Sequence, residues 1–188
     1  MSDVISISIA ALALFVSSTT AWFTLLRRGR LCMTQPTIVA FVFDGPSGPP
    51  KVVIRTLLFS TGHRGVIVEN MYVIRSHDPV DDIFTVWGYS EGNVQSMVRG
   101  SGLYVGVEGS ALYHHFVLPE NTNPPIFRAG TWSIEVHAKT LGNSYTQRLA
   151  ELQILVNEDI AAMLARRKIG VLFNLDPRTG KYVAETRG

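Results

Sequence analysis

Thr131-Trp132-Ser133-Ile134-Glu135-Val136-His137-Ala138 is the stretch that decides the fold. Trp132, Ile134, Val136 and Ala138 fall on one side of an extended chain, and Thr131, Ser133, Glu135 and His137 on the other. Successive side chains of a strand point to opposite faces, so this alternation predicts a strand with one face on a core and one in water. Tyr145–Val156 is a second strand, expected to pair with the first as a hairpin across Leu141-Gly142-Asn143-Ser144.

The same period extends towards the N-terminus. Thr37–Phe43 is a β-branched and aromatic run, ended by the Pro- and Gly-rich loop Asp44-Gly45-Pro46-Ser47-Gly48-Pro49-Pro50. Lys51–Ser60 and Val66–Arg75 are strand-like, and Thr61-Gly62-His63-Arg64-Gly65 between them reads as a hairpin turn. Ile83–Tyr89 is another strand, with Phe84, Trp87 and Tyr89, and Ser110–Leu118 a further one. About seven short strands at this spacing predict an antiparallel two-sheet sandwich, with a small barrel as the alternative.

Beyond Val156 the period changes. Asn157 is a helix N-cap, Glu158 and Asp159 suit the positive helix start, and Arg166, Arg167 and Lys168 suit its end. Ile160, Met163 and Leu164 share one side, so this helix docks on the sheets, and Gly170 stops it. Val171–Leu175 and Lys181–Ala184 form a closing hairpin around Asp176-Pro177-Arg178-Thr179-Gly180. The expected organisation is an N-terminal anchor over 1–30, a β-sandwich over 31–156, and a helix-and-hairpin tail over 157–188.

The anchor is Val4–Leu26, an uncharged apolar run followed at once by Arg27, Arg28 and Arg30. About 23 residues at helical rise reach roughly 35 Å, enough for a hydrocarbon core of ~30 Å. Met1, Ser2 and Asp3 ahead of it carry no Lys or Arg, so the basic flank predicts an N-terminus outside and a C-terminal domain in the cytoplasm. A cleaved signal peptide needs its basic residues on the other side of the apolar run. Lipidation at Cys32 is disfavoured by Arg30 and Leu31, where small residues are expected. Cys32 is the single cysteine, which rules out an intramolecular disulfide and suits a reducing compartment.

Two features of the anchor point to contacts. Ser6, Ala10, Ala13, Ser17, Thr20 and Thr24 recur at four- and three-residue steps, a stripe of small and hydroxyl side chains suited to helix pairing with another membrane protein or a second copy. Trp22 with Arg27, Arg28 and Arg30 fits a membrane interface facing anionic head groups. Lys and Arg number 17 against 15 Asp and Glu, and the arginine cluster accounts for the excess, so no basic face indicates nucleic acid.

Arg55–Val73 (RTLLFSTGHRGVIVENMYV), Arg99–Pro119 (RGSGLYVGVEGSALYHHFVLP) and Ala129–Val136 (AGTWSIEV) resemble an uncharacterised group of short bacterial single-pass membrane proteins with one N-terminal anchor and a sandwich domain. The last segment also resembles the closing strand of bacterial immunoglobulin-like modules. The resemblance implies an immunoglobulin-like β-sandwich at a bacterial inner membrane, and no activity.

The chain offers little chemistry of its own. His114 and His115 point to opposite faces of a strand and cannot chelate one ion together, and no zinc spacing exists, so no metal or other cofactor is expected. Asp78, Asp81 and Asp82 read as a solvated acidic turn without EF-hand spacing. Gly100, Gly102, Gly106 and Gly109 read as turn and bulge glycines, since neither phosphate-loop fingerprint has this spacing. Arg55 and Glu69 are expected to pair across adjacent strands. No nucleophile–base pairing is visible, so the expectation is a non-enzymatic interaction protein, an accessory or structural subunit of an inner-membrane complex. The alternative is a membrane-tethered sensor or small-ligand-binding module using the loops between Trp87 and Gly109.

Overall fold

A computed structural model describes residues 2–27, 29–43, 48–77, 80–92, 97–120, 127–167 and 170–186. In chain order these form helix α1 (Ser2–Ala21) continued by a π-helical turn (Trp22–Leu26), then β1 (Leu31–Met33), β2 (Ile38–Phe43), β3 (Pro50–Ser60), β4 (Val66–His77), β5 (Val80–Phe84), β6 (Val86–Ser90), β7 (Val98–Arg99), β8 (Leu103–Val105), β9 (Ser110–Val117), β10 (Gly130–Thr140), β11 (Gln147–Val156), α2 (Glu158–Ala165), β12 (Val171–Leu175) and β13 (Tyr182–Thr186).

The strands make two antiparallel sheets. One runs β13-β12-β2-β3-β9-β6-β7, with β1 also on β3; the other runs β11-β10-β4-β5, with β8 also on β4. The alternation at Thr131–Ala138 sits inside β10, and Trp132, Ile134, Val136 and Ala138 are all buried. They meet the inner face of the other sheet, where Phe41 stands edge-on to Trp132 at 5.1 Å between ring centroids and to Phe173 at 6.3 Å. One hydrophobic core joins both sheets, and Ile160, Ala161 and Leu164 of α2 belong to it. The β10–β11 hairpin forms as expected, with a register shift at Val136/His137.

The helix start also follows the sequence. Asn157 is extended and its side-chain oxygen accepts from the Ile160 N–H at 2.8 Å. The closing hairpin is fixed by Asp176, whose carboxylate accepts from the Arg178 N–H and the Thr179 hydroxyl, while Gly180 takes φ +68°. β12 lies in register beside β2, Phe173 opposite Val39, so this segment extends the first sheet.

Two expectations fail on topology. Lys51–Ser60 and Val66–Arg75 do not form a hairpin: β3 is paired on both edges by β2 or β1 and by β9, and β4 belongs to the other sheet. The turn at 61–65 is a corner between sheets. Ile83–Tyr89 is two strands, with β5 in one sheet, β6 in the other, and Thr85 at the crossing. That crossing lets Phe84 and Trp87, three residues apart, both enter the core. The Arg55–Glu69 pair fails with the hairpin. Arg55 instead lies over the Tyr113 ring at 5.4 Å, and Glu69 pairs with Lys139 at 3.1 Å.

Candidate functional site

The N-terminal helix and its junction with the sheets form the most distinctive part of the molecule. Asp3–Leu25 is a 23-residue helical stretch of mean hydropathy 1.9, long and apolar enough to cross a membrane, and none of it is buried against the sheets. In hydrocarbon a backbone must satisfy its own polar groups, which a helix does. Its hydroxyls do the same: Ser8, Thr19, Thr20 and Thr24 each donate to the carbonyl four residues earlier at 2.8 Å. Thr20 and Thr24 of the small-residue stripe are thereby engaged within the helix, and Ser6, Ala10, Ala13, Ser17, Thr20 and Thr24 are all exposed along it.

The helix ends in the π-helical turn, where the Arg27 N–H donates to the Trp22 carbonyl at 2.9 Å and Arg27 turns extended at ψ 122°. Trp22 is exposed, and the Arg27 guanidinium lies over the Phe23 ring at 5.7 Å. Arg28 lies outside the described residues.

Only residues 27–30 separate this turn from β1, and Gly29 and Arg30 are held against the domain. The Arg30 N–H donates to Thr61 Oγ1 at 2.9 Å, and the Thr61 N–H donates to the Arg30 carbonyl at 3.0 Å. Beside this bridge Gly29 and Gly62 approach backbone to backbone. A Cβ on Gly62 would stand 2.7 Å from Gly29 N and Cα, and one on Gly29 would stand 2.5 Å from Gly62 N. Ser60 closes the corner, its hydroxyl bonded to Gly62 N and O at 3.3 and 3.1 Å. The corner that replaces the expected hairpin is thus the socket that receives the end of the N-terminal helix.

A cleft of about 780 Å³ opens at this end of the sheets, lined among others by Arg30, Arg64, Tyr104, Asn143, Tyr145 and Gln147. Gly65, at φ +66°, lies under the Tyr104 ring, where a Cβ would come within 2.6 Å of Oη. Gln147 Nε2 donates to the Leu31 carbonyl at 3.2 Å and ties β11 to β1. Sequence reading picks out Arg27, Arg28 and Arg30 but not Arg64, Tyr104 or Tyr145, which only the fold brings beside Arg30.

The interior holds polar groups whose burial the sequence reading did not foresee. Arg75 and Asp82 sit directly opposite on β4 and β5 and form a buried ion pair. The Arg75 guanidinium also lies over Trp132 at 4.5 Å and Phe127 at 5.3 Å. Burial pulls the Arg75 pKa down, and Asp82 partly restores it. Asp82 is therefore no part of a solvated turn; Asp81 is exposed, and Asp78 lies outside the described residues. His114 faces the core, where its Nδ1 accepts from Trp87 Nε1 at 3.2 Å and its Nε2 meets no hydrogen-bond partner among the described residues. Burial, with His115 adjacent, pulls its pKa down to about 4. His115 points to the other face of the sheet and lies 3.2 Å from Ser90 Oγ. Among the described residues no three His, Cys, Asp or Glu cluster to hold a metal ion. No protein family, curated protein or solved structure matches the chain.

Proposed function

We propose that this protein is a single-pass, non-enzymatic interaction protein of a bacterial inner membrane, an accessory or structural subunit with its N-terminus outside and an immunoglobulin-like sandwich on the cytoplasmic side. One observation carries the reading. An exposed apolar helix of membrane-spanning length is joined to the two-sheet domain by a short junction in which Arg30 is hydrogen-bonded to Thr61 through both its N–H and its carbonyl and Gly29 packs against Gly62. A tether that only localises a domain works with a loose linker; a held junction instead sets the domain's height and attitude over the bilayer. The closed interior supports a binding rather than a chemical role, since Arg75, Asp82, His114 and His115 are all shut away from solvent. The arginines after the helix support the cytoplasmic placement.

The test is purification from native membranes through a C-terminal tag in mild detergent, with mass spectrometry of what co-migrates. Stoichiometric membrane subunits are expected, and replacing the Ser6–Thr24 stripe by Leu should release them. Migration alone refutes the accessory reading. Protease protection of the tag in sealed inside-in vesicles, set against exposure in inverted ones, tests the orientation.

One observation favours a second reading, a tethered sensor. A cleft of about 450 Å³ is lined by Trp87, Gly88, Met97 and Arg99 with Leu118 and Glu120, within and beside the Trp87–Gly109 loops. A small molecule raising the melting temperature in a screen of the full chain would establish it.

A further inference from the structure

The membrane-proximal end of the domain is built as a lipid-contact surface in its own right. Three connections meet there: the 61–65 corner, the 106–109 turn and the β10–β11 turn at 141–146, all beside the 27–30 junction. Their exposed side chains have the composition of an interface belt. Leu141 is 63% exposed, Tyr145 67% and Tyr104 58%, with Trp22 at the end of the helix itself. Arg27, Arg30 and Arg64 are exposed alongside them, and none forms an ion pair among the described residues. Among the described residues no Asp or Glu lines the cleft that Arg30 and Arg64 share. Glu108 is the acidic group on the neighbouring turn and lies outside that lining.

We infer that this cleft binds the phosphate headgroup of an anionic phospholipid from the bilayer the helix occupies, with Leu141 and Tyr145 seated in the headgroup layer beside it. The inference rests on the membrane-spanning reading of α1. Four residues span at most roughly 14 Å, so the cleft opens at headgroup height. There an arginine offers a planar fork of donors to phosphate oxygens, and the two tyrosines offer hydroxyls beside apolar rings. Arg64 matters most, because it comes from the folded domain: unlike Arg27 and Arg30, it reaches this position only if the 61–65 corner holds the anchor.

The experiment uses the full chain in nanodiscs of phosphatidylcholine with one-fifth phosphatidylglycerol. Lipids that remain bound after transfer to mild detergent are counted by native mass spectrometry. The expected result is several-fold enrichment of phosphatidylglycerol over its share of the bilayer. Arg64→Gln and Tyr145→Ser should each bring it close to parity, Arg64→Lys should restore part of it, and Arg128→Gln, beside Gly130 at the end of β10 away from the anchor, should leave it unchanged. Tryptophan emission of each variant checks that the domain is folded. Enrichment that survives Arg64→Gln in a folded protein assigns the attraction to the juxtamembrane arginines alone and overturns the cleft. Displacement of the bound lipid by millimolar inorganic phosphate reduces the cleft to a simple anion site and also overturns it. Carbonate extraction separates the two layers of the argument: a protein washed off by carbonate refutes the spanning helix, whereas one retained without lipid preference refutes only the headgroup site.

Discussion

Replacing Asp82 by Asn removes one charge from the interior and leaves the shape of the side chain almost unchanged. Its partner Arg75 is 1% exposed and cannot swing to water, because Trp132 and Phe127 lie along its guanidinium. The variant therefore carries a buried cation that has lost the Asp82 charge. Breaking such a pair on one side costs about 3–5 kcal/mol, far more than the ~0–1 kcal/mol of a surface pair such as Glu69–Lys139. At a guanidinium slope of about 4 kcal/mol/M the unfolding midpoint should fall by roughly 1 M. Full-length protein in mild detergent, followed by tryptophan emission, reads this directly, since Trp132 touches the pair. The double variant Arg75→Met, Asp82→Leu removes both charges and should recover most of the loss, because a buried ion pair repays its desolvation only in part. An Asp82→Asn midpoint within ~0.1 M of wild type would refute the reasoning, as would a double variant no better than the single.

Three further outcomes follow from the same structure. His114 titrates near 4 when folded and near 6.5 when unfolded, so the unfolded chain takes up the proton first as pH falls. Its contribution to stability is complete above pH 6.5 and is lost towards pH 4, about 3 kcal/mol in all; His114→Gln should remove that part of the slope in denaturant titrations at stepped pH, and an unchanged slope would count against it. Gly62→Val places a side chain against Gly29 and should open the junction, raising the rate of tryptic cleavage within residues 27–30 about tenfold or more in reconstituted vesicles; equal rates would mean the glycine contact holds nothing. Asn157→Ala deletes the cap of α2 and should cost about 1 kcal/mol of unfolding free energy, with no change meaning that packing of Ile160 and Leu164 alone holds the helix.

Much of this architecture was legible from periodicity. The β10 alternation, its hairpin with β11, the Asn157 cap and the Asp176–Gly180 turn are local patterns, and each forms as the residues dictate. What the sequence hid is which edge each strand offers. Alternation assigns faces and leaves neighbours open, so β3 and β4, consecutive and both apolar on one face, looked like partners although each is already flanked in its own sheet. One signal was present and unused: Phe84 and Trp87 stand three apart, a spacing that no single flat strand can turn to one face, and it marks the crossing at Thr85. Arg75 carried a similar signal, a cation at an inward position of the Met71, Val73 alternation, which demands a buried partner. The cleft could not be read at all, since Arg30, Arg64, Tyr104 and Tyr145 share no local spacing and meet only through the fold.

The held junction also divides the surface by what can reach it. β3 runs 11 residues from Ser60 beside the anchor to Pro50 at the far end, roughly 35 Å at strand rise. Gly130, the end of β4 at His77 and the start of α2 lie at that far end, since Gly130 pairs with Val156 and Asn157 follows. With α1 spanning the bilayer as proposed, a soluble partner approaching from the aqueous side meets α2 and the distal loops, well beyond a Debye length of the head groups, where the juxtamembrane arginines exert little pull. A partner within the bilayer meets only α1 and the proximal turns. The two kinds of partner therefore separate by mutation. Leu substitutions along Ser6–Thr24 disturb the second and leave the first, while exposed α2 residues such as Asp159 and Ala162 affect the first alone. Were both sets to release the same protein, that partner would have to extend from the membrane core past the full height of the sheets. A multi-pass subunit with a large domain on the same side of the membrane meets that demand, and a small single-span protein does not.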